Sequence, residues 1–422
     1  MDNIPTIMSQ LLLIWQRGKI SFCAFLSLLF LCPLAYNGAA IFCISFSFPG
    51  KTPPEPASFL PEYVPPLPSI EKETSGANLT TVLPLLHSNQ NMVVSMKRTT
   101  LHRPNRKRFD DEVAKILLSE AVKKRFELKV IKFFKRNSCK FRFFMTWISS
   151  VESFGDRELL CVESVFKTHP NGCLIIASNS LDSLQGRLIL KPFSDMGFKV
   201  AAITPDFSYL LRNTAAAAWY NRLKRGNVNP GEISLGQNLS NLLRIGLLYR
   251  FGGIYLDTDV LVLKSFGELR NAIGAQSSDL ATGNWSRLNN AVMVFDKGHP
   301  VVLEFMEEFA HTFDGNRWGH NGPYLVSRVV ARLSGRPRFD LTVLPPVAFY
   351  PVRWNRIGGL FEGAKGLSHS KWMVAKLRQI RSQSFAVHLW NKQSRQFKVE
   401  EGSIIQHLMF SSRVVKNSSV FE

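Results

Sequence analysis

The chain has 422 residues, with 52 Lys plus Arg against 32 Asp plus Glu, a formal net charge of +20 and 45% hydrophobic residues. That length admits one large domain with a spacer rather than several compact units. The charge raises nucleic acid as a partner, but much of the excess lies between residues 97 and 142, and no zinc, RRM or helix-turn-helix signature accompanies it. Nucleic acid is therefore excluded, which leaves a membrane surface, an anionic polysaccharide or a merely solvated helix face for these cations.

Residues 1–19 read as a cytosolic tail and residues 20–48 as a transmembrane signal anchor. The apolar run Ile20 to Phe48 is interrupted by Pro33, Asn37 and Gly38 but exceeds the roughly 20 residues that span a bilayer. Arg17 and Lys19 before it favour a cytosolic N-terminus, against Lys51 beyond it. A cleaved signal peptide is the alternative; the length of the run and the lack of a small-x-small cleavage site favour the anchor. Residues 49–96 open with a proline-rich stretch from Pro49 to Pro68, which favours an extended stem. Residues 97–140 carry Arg106-Lys107-Arg108 and Lys123-Lys124-Arg125 among helically spaced Val113, Ile116, Leu117 and Val122, and read as a basic helical neck. Residues 141–422 then read as a single large domain that divides at about residue 300.

Cys23, Cys32 and Cys43 fall in the anchor, where they act as small apolar residues or acylation targets. Cys139, Cys161 and Cys173 allow one disulfide and one free thiol, with the pairing left open. Sequons occur at Asn78, Asn238, Asn284 and Asn417. Asn78, in the stem, is the best glycosylation candidate; Asn238 lies within a predicted helix and Asn284 in a loop expected near the site.

In the large domain, Phe143 to Ile148, Cys173 to Ala177 and Phe198 to Ile203 read as buried strands, with a helix around Leu159 to Phe166. Strands alternating with helices predict an α/β fold with a mostly parallel sheet and ligands beyond the carboxyl ends of the strands. Trp147 then faces either the core or a nucleotide base, and core packing is the favoured role. A helix is predicted from Ser234 to Arg250, with Ser234 as its N-cap and Leu235, Leu239, Leu242, Leu243 and Leu247 at helical spacing. Gly252-Gly253 ends it and turns the chain into the strand Ile254 to Leu256.

Asp257 and Asp259 follow that strand two residues apart, a DxD spacing that places both carboxylates on one strand face. Such an oxygen-rich pair suits Mn²⁺ or Mg²⁺, which would bridge the phosphates of a departing nucleoside diphosphate. An isolated DxD is more often a solvated turn, and phosphatases of the haloacid dehalogenase type also place one after an apolar strand. That second pattern wants Thr or Val where this chain has Leu261, and lacks the Gly252-Gly253 turn.

The segment Phe251 to Val260, Leu288-Asn289-Asn290-Ala291-Val292-Met293, Trp318-Gly319-His320-Asn321-Gly322-Pro323, Leu344 to Pro351 and Val387-His388-Leu389-Trp390-Asn391-Lys392 together make residues 141 to 410 resemble the α-1,4-glycosyltransferase family, its plant members above all. The resemblance implies a GT-A type nucleotide-diphospho-sugar transferase fold, a UDP-sugar donor, Mn²⁺ (or Mg²⁺) and retention of anomeric configuration. It also implies a single-pass type II anchor in the Golgi membrane with a lumenal catalytic domain. The expected reaction moves galactose or N-acetylglucosamine to a glycolipid, glycoprotein or polysaccharide hydroxyl as an α-linkage, with α-1,4 favoured. A catalytically weak lumenal glycan-binding scaffold is the alternative, which the intact Asp257, Asp259 and His388 disfavour.

By the same resemblance the domain binds the donor up to about residue 300 and the acceptor after it, Asp257, Asp259 and His388 form the metal site, and Asn241, Arg244, Tyr255, Asp257 and Trp390 contact the donor, Trp390 as a lid on the nucleotide; Trp147 joins the donor contacts only in its base-stacking role. The wider DxD group carries Asp where this chain has Asn241, so that position can hydrogen-bond hydroxyls but brings no charge. Asn289 and Asn290, read as an amide pair preceding a strand, steady the reacting centre, and His320 either serves donor-sugar and acceptor recognition or is a satisfied structural histidine; the alternative for His388 is a buried histidine beside a core Trp390. Trp318 and Gly322 line the acceptor side.

Overall fold

A computed structural model describes residues 126–279 and 281–414. The anchor, the stem, most of the neck, Asn78 and Asn417 lie outside the described residues. No helix among those described is long and apolar enough to cross a membrane.

The elements in chain order begin with α1 (Phe126–Arg136), β1 (Phe141–Thr146), α2 (Asp156–Thr168), β2 (Gly172–Ala177), α3 (Leu184–Asp195) and β3 (Lys199–Ile203). The short α4 (Phe207–Leu211), α5 (Ala215–Lys224) and the long α6 (Leu235–Phe251) lead to β4 (Gly253–Leu256) and β5 (Val260–Val262). Next come β6 (Ala272–Ser278), β7 (Trp285–Phe295), α7 (Pro300–Thr312), α8 (Pro323–Leu333) and β8 (Thr342–Leu344). The chain closes with α9 (Leu367–Gln383), β9 (Ala386–His388), α10 (Asn391–Ser394) and α11 (Ile404–Ser412).

Seven strands form one sheet in the order β3-β2-β1-β4-β7-β6-β8, and β5 pairs with β9 in a second, two-stranded sheet. The pairs β3-β2, β2-β1 and β1-β4 are parallel, whereas β7 runs antiparallel to both β4 and β6. The predicted α/β class with a parallel-rich centre is what forms, and the observed strands fall within two residues of the predicted ones at each end. Alternation along β1 explains the two cores: Phe144 joins the cluster under α1, α6, α7 and α8, while Phe143 and Met145 join the cluster under α2, α3, α9 and α11. Every residue of β2 is buried, as a strand covered by helices on both faces requires.

One domain boundary needs correction. The neck was expected to run to residue 140, but α1 seats Phe126, Val130 and Phe134 in the core, with Phe134 edge-on to Phe144 at 5.5 Å. Its basic residues occupy the outer face of a core helix. The Cys139–Cys173 disulfide then ties the lead-in of β1 to β2 across 34 residues, worth about 4 kcal/mol in the loop-entropy account. Cys161 is free and buried, and burial pushes its thiol pKa well up, so it is inert packing.

Candidate metal and donor site

The site begins with how α6 stops. The Ser234 hydroxyl accepts a hydrogen bond from the Gln237 N–H at 3.3 Å, capping the start of α6, and the apolar face of the helix then packs through Leu239, Leu242, Leu243 and Leu247. Gly252 ends it at φ 64° and Gly253 follows at φ 122°. A Cβ at Gly252 would lie 2.5 Å from the Lys297 nitrogen, and one at Gly253 would lie 2.5 Å from the Arg142 carbonyl oxygen. Glycine is thus required at both positions by backbone angle and by space. The chain enters β4 between β1 and β7 and delivers Asp257 beyond the carboxyl end of the strand.

The two carboxylates converge by a different route from strand alternation. Asp257 to Asp259 form a turn, closed by the Val260 N–H donating to the Asp257 carbonyl at 3.1 Å, and β5 then pairs with β9 so that Val260 lies opposite His388. The turn and the late strand together bring one oxygen of Asp257, one of Asp259 and an imidazole nitrogen of His388 within 4.8 Å of one another. His388 Nε2 lies 3.2 Å from Asp259 Oδ1, and the Leu389 N–H donates to the Asp259 carbonyl at 2.8 Å. Two carboxylates and an imidazole fit a divalent cation of the Mn²⁺ kind, and the buried His388 Nδ1 has no protein partner. The carboxylate side chains keep 26% and 13% of their surface, so the cluster stays open to a ligand.

Asp257 is held by its neighbours. The Tyr255 hydroxyl donates to Oδ1 at 2.6 Å, Arg244 Nη2 lies 3.0 Å from the same oxygen, and Nη1 donates to Oδ2 at 3.3 Å. Arg244 also donates to the Asn290 carbonyl at 2.9 Å and to Ser240 Oγ at 3.2 Å, with its guanidinium 4.6 Å from the centre of the Tyr255 ring. Thr146 Oγ1 closes the ring of bonds, 2.6 Å from Ser240 Oγ and 2.8 Å from the Tyr255 hydroxyl. Burial pushes the Asp257 carboxyl above its usual range; Arg244 pulls against that, and the charge of Asp259 adds to it. Burial also works against ionised Asp259, but His388 and the Asn391 amide outweigh it and leave this carboxyl low. In His388 burial lowers the pKa, and Asp259 more than reverses that.

Strand β7 contributes through an irregularity. Its pairing with β6 jumps from Ile273↔Met293 to Gly274↔Asn289, so Asn290, Ala291 and Val292 bulge away from β6. The freed Ala291 carbonyl accepts the Asp257 N–H at 2.8 Å, and the Asn290 carbonyl accepts Arg244. Asn289 and Asn290 therefore lie inside β7 rather than before it. Asn289 donates to Gln276 Oε1 and accepts from the Ala291 N–H, each at 2.9 Å, while Asn290 Nδ2 donates to Asn241 Oδ1 at 2.9 Å. Gly322, expected on the acceptor side, instead presses on that amide pair, since a Cβ there would lie 2.9 Å from Asn241 Oδ1.

The remaining candidates separate into supports and outliers. Trp390 adopts φ 54°, donates its indole N–H to the Val352 carbonyl at 3.0 Å and packs edge-on against His388 at 4.2 Å. It thus packs against the imidazole, and its N–H is engaged by the Val352 carbonyl. Trp147 is buried, donates to the Ser150 carbonyl at 3.0 Å and packs on Phe154, which supports the packing role over base stacking. His320 donates Nε2–H to the Thr312 carbonyl at 2.8 Å and so caps the end of α7; burial lowers its pKa and keeps the ring neutral. Trp318 is exposed under the Lys392 ammonium, 3.0 Å from the ring centre. Among the described residues no hydrogen bond or ring contact joins Trp147, His320 or Trp318 to the acidic cluster. A cavity of about 440 Å³ bordered by Arg142, Gly252, Arg270 and Lys297 opens at the opposite, amino ends of β1 and β4, away from this chemistry. Asn238, whose Oδ1 accepts from Asn321 Nδ2 at 3.0 Å, is buried and unavailable to a glycosylating enzyme, whereas Asn284 is exposed at the tip of the β6–β7 hairpin.

Residues 155–279 match the glycosyltransferase sugar-binding region containing the DXD motif, and residues 294–412 match the alpha 1,4-glycosyltransferase conserved region. Lactosylceramide 4-alpha-galactosyltransferase of Gorilla gorilla gorilla is 32% identical over 57% of this chain and 71% of its own length. The chain belongs to the α-1,4-glycosyltransferase family. Human alpha-1,4-N-acetylglucosaminyltransferase is 26% identical over 45% of this chain and 52% of its own. An uncharacterized protein of Arabidopsis thaliana is 29% identical over 65% of this chain, and the shared segment spans only 42% of that protein. The family's two matched regions divide the cluster between them, Asp257 and Asp259 in the first and His388 in the second.

Residues outside the predicted set also shape the site. Thr146 and Ser240 complete the bonds around Asp257, and the Asn391 N–H donates to Asp259 Oδ2 at 2.8 Å. The buried Glu158 in turn accepts from Asn391 Nδ2 at 3.2 Å and from Arg395. Ser240 and Arg244 stand four apart on α6, a spacing that puts both on one face; nothing local in the sequence points to Glu158.

Proposed function

We propose that this chain is a retaining glycosyltransferase of GT-A type that moves galactose or N-acetylglucosamine from a UDP-sugar to a glycan or glycolipid hydroxyl, forming an α-linkage with position 4 favoured. The observation that carries the reading is the Asp257–Asp259–His388 cluster beyond the carboxyl ends of parallel strands, beside a buried Arg244. The lumenal Golgi location, the type II anchor at residues 20–48 and the stem belong to the same reading.

Mn²⁺ or Mg²⁺ bound there would supply charge stabilisation to the departing diphosphate. Asp259 and His388 would hold the ion with Asp257, whose position Arg244 and Tyr255 fix in advance. Asn289 is a poor nucleophile and both ends of its amide are engaged, so no covalent sugar–protein intermediate is invoked. The acceptor oxygen attacks the anomeric carbon on the face that the diphosphate leaves. The bond to the diphosphate breaks, and the leaving phosphate oxygen takes the acceptor proton. The Asn241–Asn290 amide pair offers neutral donors and acceptors to sugar hydroxyls, in keeping with an uncharged hexose or N-acetylhexosamine.

The test is UDP release from a panel of UDP-sugars, with and without Mn²⁺, beside Asp259→Ala. Metal-dependent turnover of one donor, lost in the variant, is the expected result. UDP and Mn²⁺ binding without turnover of any donor in the presence of galactose-terminated and N-acetylglucosamine-terminated acceptors would favour the glycan-binding scaffold.

A further inference from the structure

Three aromatic rings stand exposed together on the C-terminal half of the domain. Trp354, Trp372 and Phe397 keep 46%, 44% and 36% of their surface, although nearly every other large aromatic of the described chain is buried or half-buried. Two of them lie over a pair of adjacent glycines in the 3-10 helix Trp354–Leu360. A Cβ at Gly358 would touch the Phe397 ring at 3.5 Å, and one at Gly359 would touch the Trp372 ring at 3.6 Å. Trp354 lies on the same short helix, within about 10 Å at 2.0 Å of rise per residue. The result is a strip in which two partly exposed rings sit against adjacent glycines of one short helix.

The rings are held in place. Trp372 stacks on His369 with centroids 5.5 Å apart and planes 15° from parallel, while the Lys365 N–H donates to His369 Nδ1 at 3.1 Å and fixes that imidazole. Phe397 packs on Phe361 at 5.9 Å, and Arg157 clamps its segment by donating to the Phe397 carbonyl at 2.7 Å and the Ser394 carbonyl at 2.9 Å. An exposed ring with a fixed plane presents its electron-rich face to whatever lies on it, and the C–H face of a pyranose is complementary to that surface. A bilayer anchor has no need of rings oriented in this way.

The strip is also joined to the metal cluster by one short stretch of chain. Asn391, whose N–H holds Asp259, precedes Phe397 by six residues, so even a fully extended chain keeps the two within about 20 Å. Glu158 and Arg157, adjacent on α2, grip the two ends of that stretch through Asn391 and Phe397.

We propose that the Trp372–Gly359–Gly358–Phe397 strip is the subsite for the acceptor, an oligosaccharide whose inner pyranose rings stack on the aromatics while its terminal hydroxyl reaches the cluster; this rests on the transferase reading above. It deepens that reading by naming an acceptor of several sugars, with its inner residues recognised by stacking.

The test uses the purified full chain, with galactose-terminated oligosaccharides of two, four and six sugars as probes in titration calorimetry and UDP-sugar hydrolysis as the acceptor-free activity. Trp372→Ala and Phe397→Ala are expected to weaken binding of the four- and six-sugar probes about tenfold each. The disaccharide Kd should stay within twofold and donor hydrolysis unchanged, and the milder Trp372→Phe should restore most of the long-probe affinity. Long-probe affinity unaltered in both alanine variants would overturn the subsite. Loss of co-sedimentation with anionic phospholipid vesicles in those variants, at unaltered oligosaccharide affinity, would overturn it in favour of a bilayer contact. A wild-type chain that hydrolyses no donor yet binds the probes in this length-dependent, Trp372-dependent way would sink the transferase reading while upholding the strip as a glycan site.

Discussion

The turn at Asp257–Asp259 and the strip at Gly358–Gly359 hold their side chains by opposite means. Around the turn every charged group is tied by directional bonds: Asp257 to Tyr255 and Arg244, and Asp259 to His388 and the Asn391 amide. Over the strip, exposed rings are fixed mainly by packing, with hydrogen bonds confined to the backbone and His369 beneath them. The difference suits the two ligands proposed for them. A diphosphate needs charge placed in advance, because a group that reorients during the reaction gives up the advantage of preorganisation. A sugar chain needs a broad face and tolerates small displacement along it.

The strongest way to break the charged side is to remove its cation. Arg244→Ala takes from the partly buried Asp257 its hydrogen-bonded counter-charge and leaves it only the His388 imidazole, and about 3 kcal/mol of stability should go with it. Urea unfolding of the metal-free protein checks this; a loss below about 1 kcal/mol would mean that Tyr255 and solvent suffice for Asp257.

A pH test separates the site from the scaffold around it. His169 accepts the Phe266 N–H at 3.0 Å among Phe141, Phe143 and Phe266, and burial holds its pKa down to about 4 from the ordinary 6.5. The unfolded chain therefore binds the extra proton first as pH falls, so stability is full above about 6.5 and declines toward pH 4, by roughly 3 kcal/mol in all. His169→Gln should flatten that slope between pH 6.5 and 4, as followed by thermal unfolding, and should leave donor hydrolysis intact. An unchanged slope would place the acid sensitivity elsewhere.

Two smaller changes sharpen the contrast. Gly322→Ala should displace the Asn241 amide and raise the donor KM about tenfold with little change in kcat, because the added methyl meets Asn241 and not the cluster. Trp147→Phe should leave the donor KM within twofold and cost about 1 kcal/mol of stability, as expected of a packing residue. A tenfold rise in KM for Trp147→Phe would restore a nucleotide-stacking role.

Much of the charged side was legible in the sequence because its chemistry is local. The Ser234 cap, the Gly252-Gly253 stop and the DxD lie in one continuous stretch, and His388 carried its own signal in an apolar strand pattern. What periodicity misjudged was how the carboxylates meet. A two-residue spacing reads as one strand face, but the Val260 bond to Asp257 makes a turn, which only the later pairing of β5 with β9 completes. The amide pair at Asn289–Asn290 was misplaced for a similar reason: polar residues inside a strand look like its edge unless the bulge that accommodates them is known. Phe126, Val130 and Phe134 were absorbed into a neck because the surrounding Lys and Arg dominate the composition. Partners far apart in the chain, such as Thr146 with Ser240 or Glu158 with Asn391, leave no spacing to read.

The central claim is that Asp257, Asp259 and His388 gather one divalent cation, and Mn²⁺ titration followed by electron spin-echo spectroscopy tests it most directly. The account predicts one tight Mn²⁺ per chain in the presence of UDP, with a directly bound imidazole nitrogen whose coupling disappears in His388→Ala. A bound Mn²⁺ with the same nitrogen coupling in wild type and His388→Ala, or no tight Mn²⁺ at all in the wild type with UDP present, would contradict it.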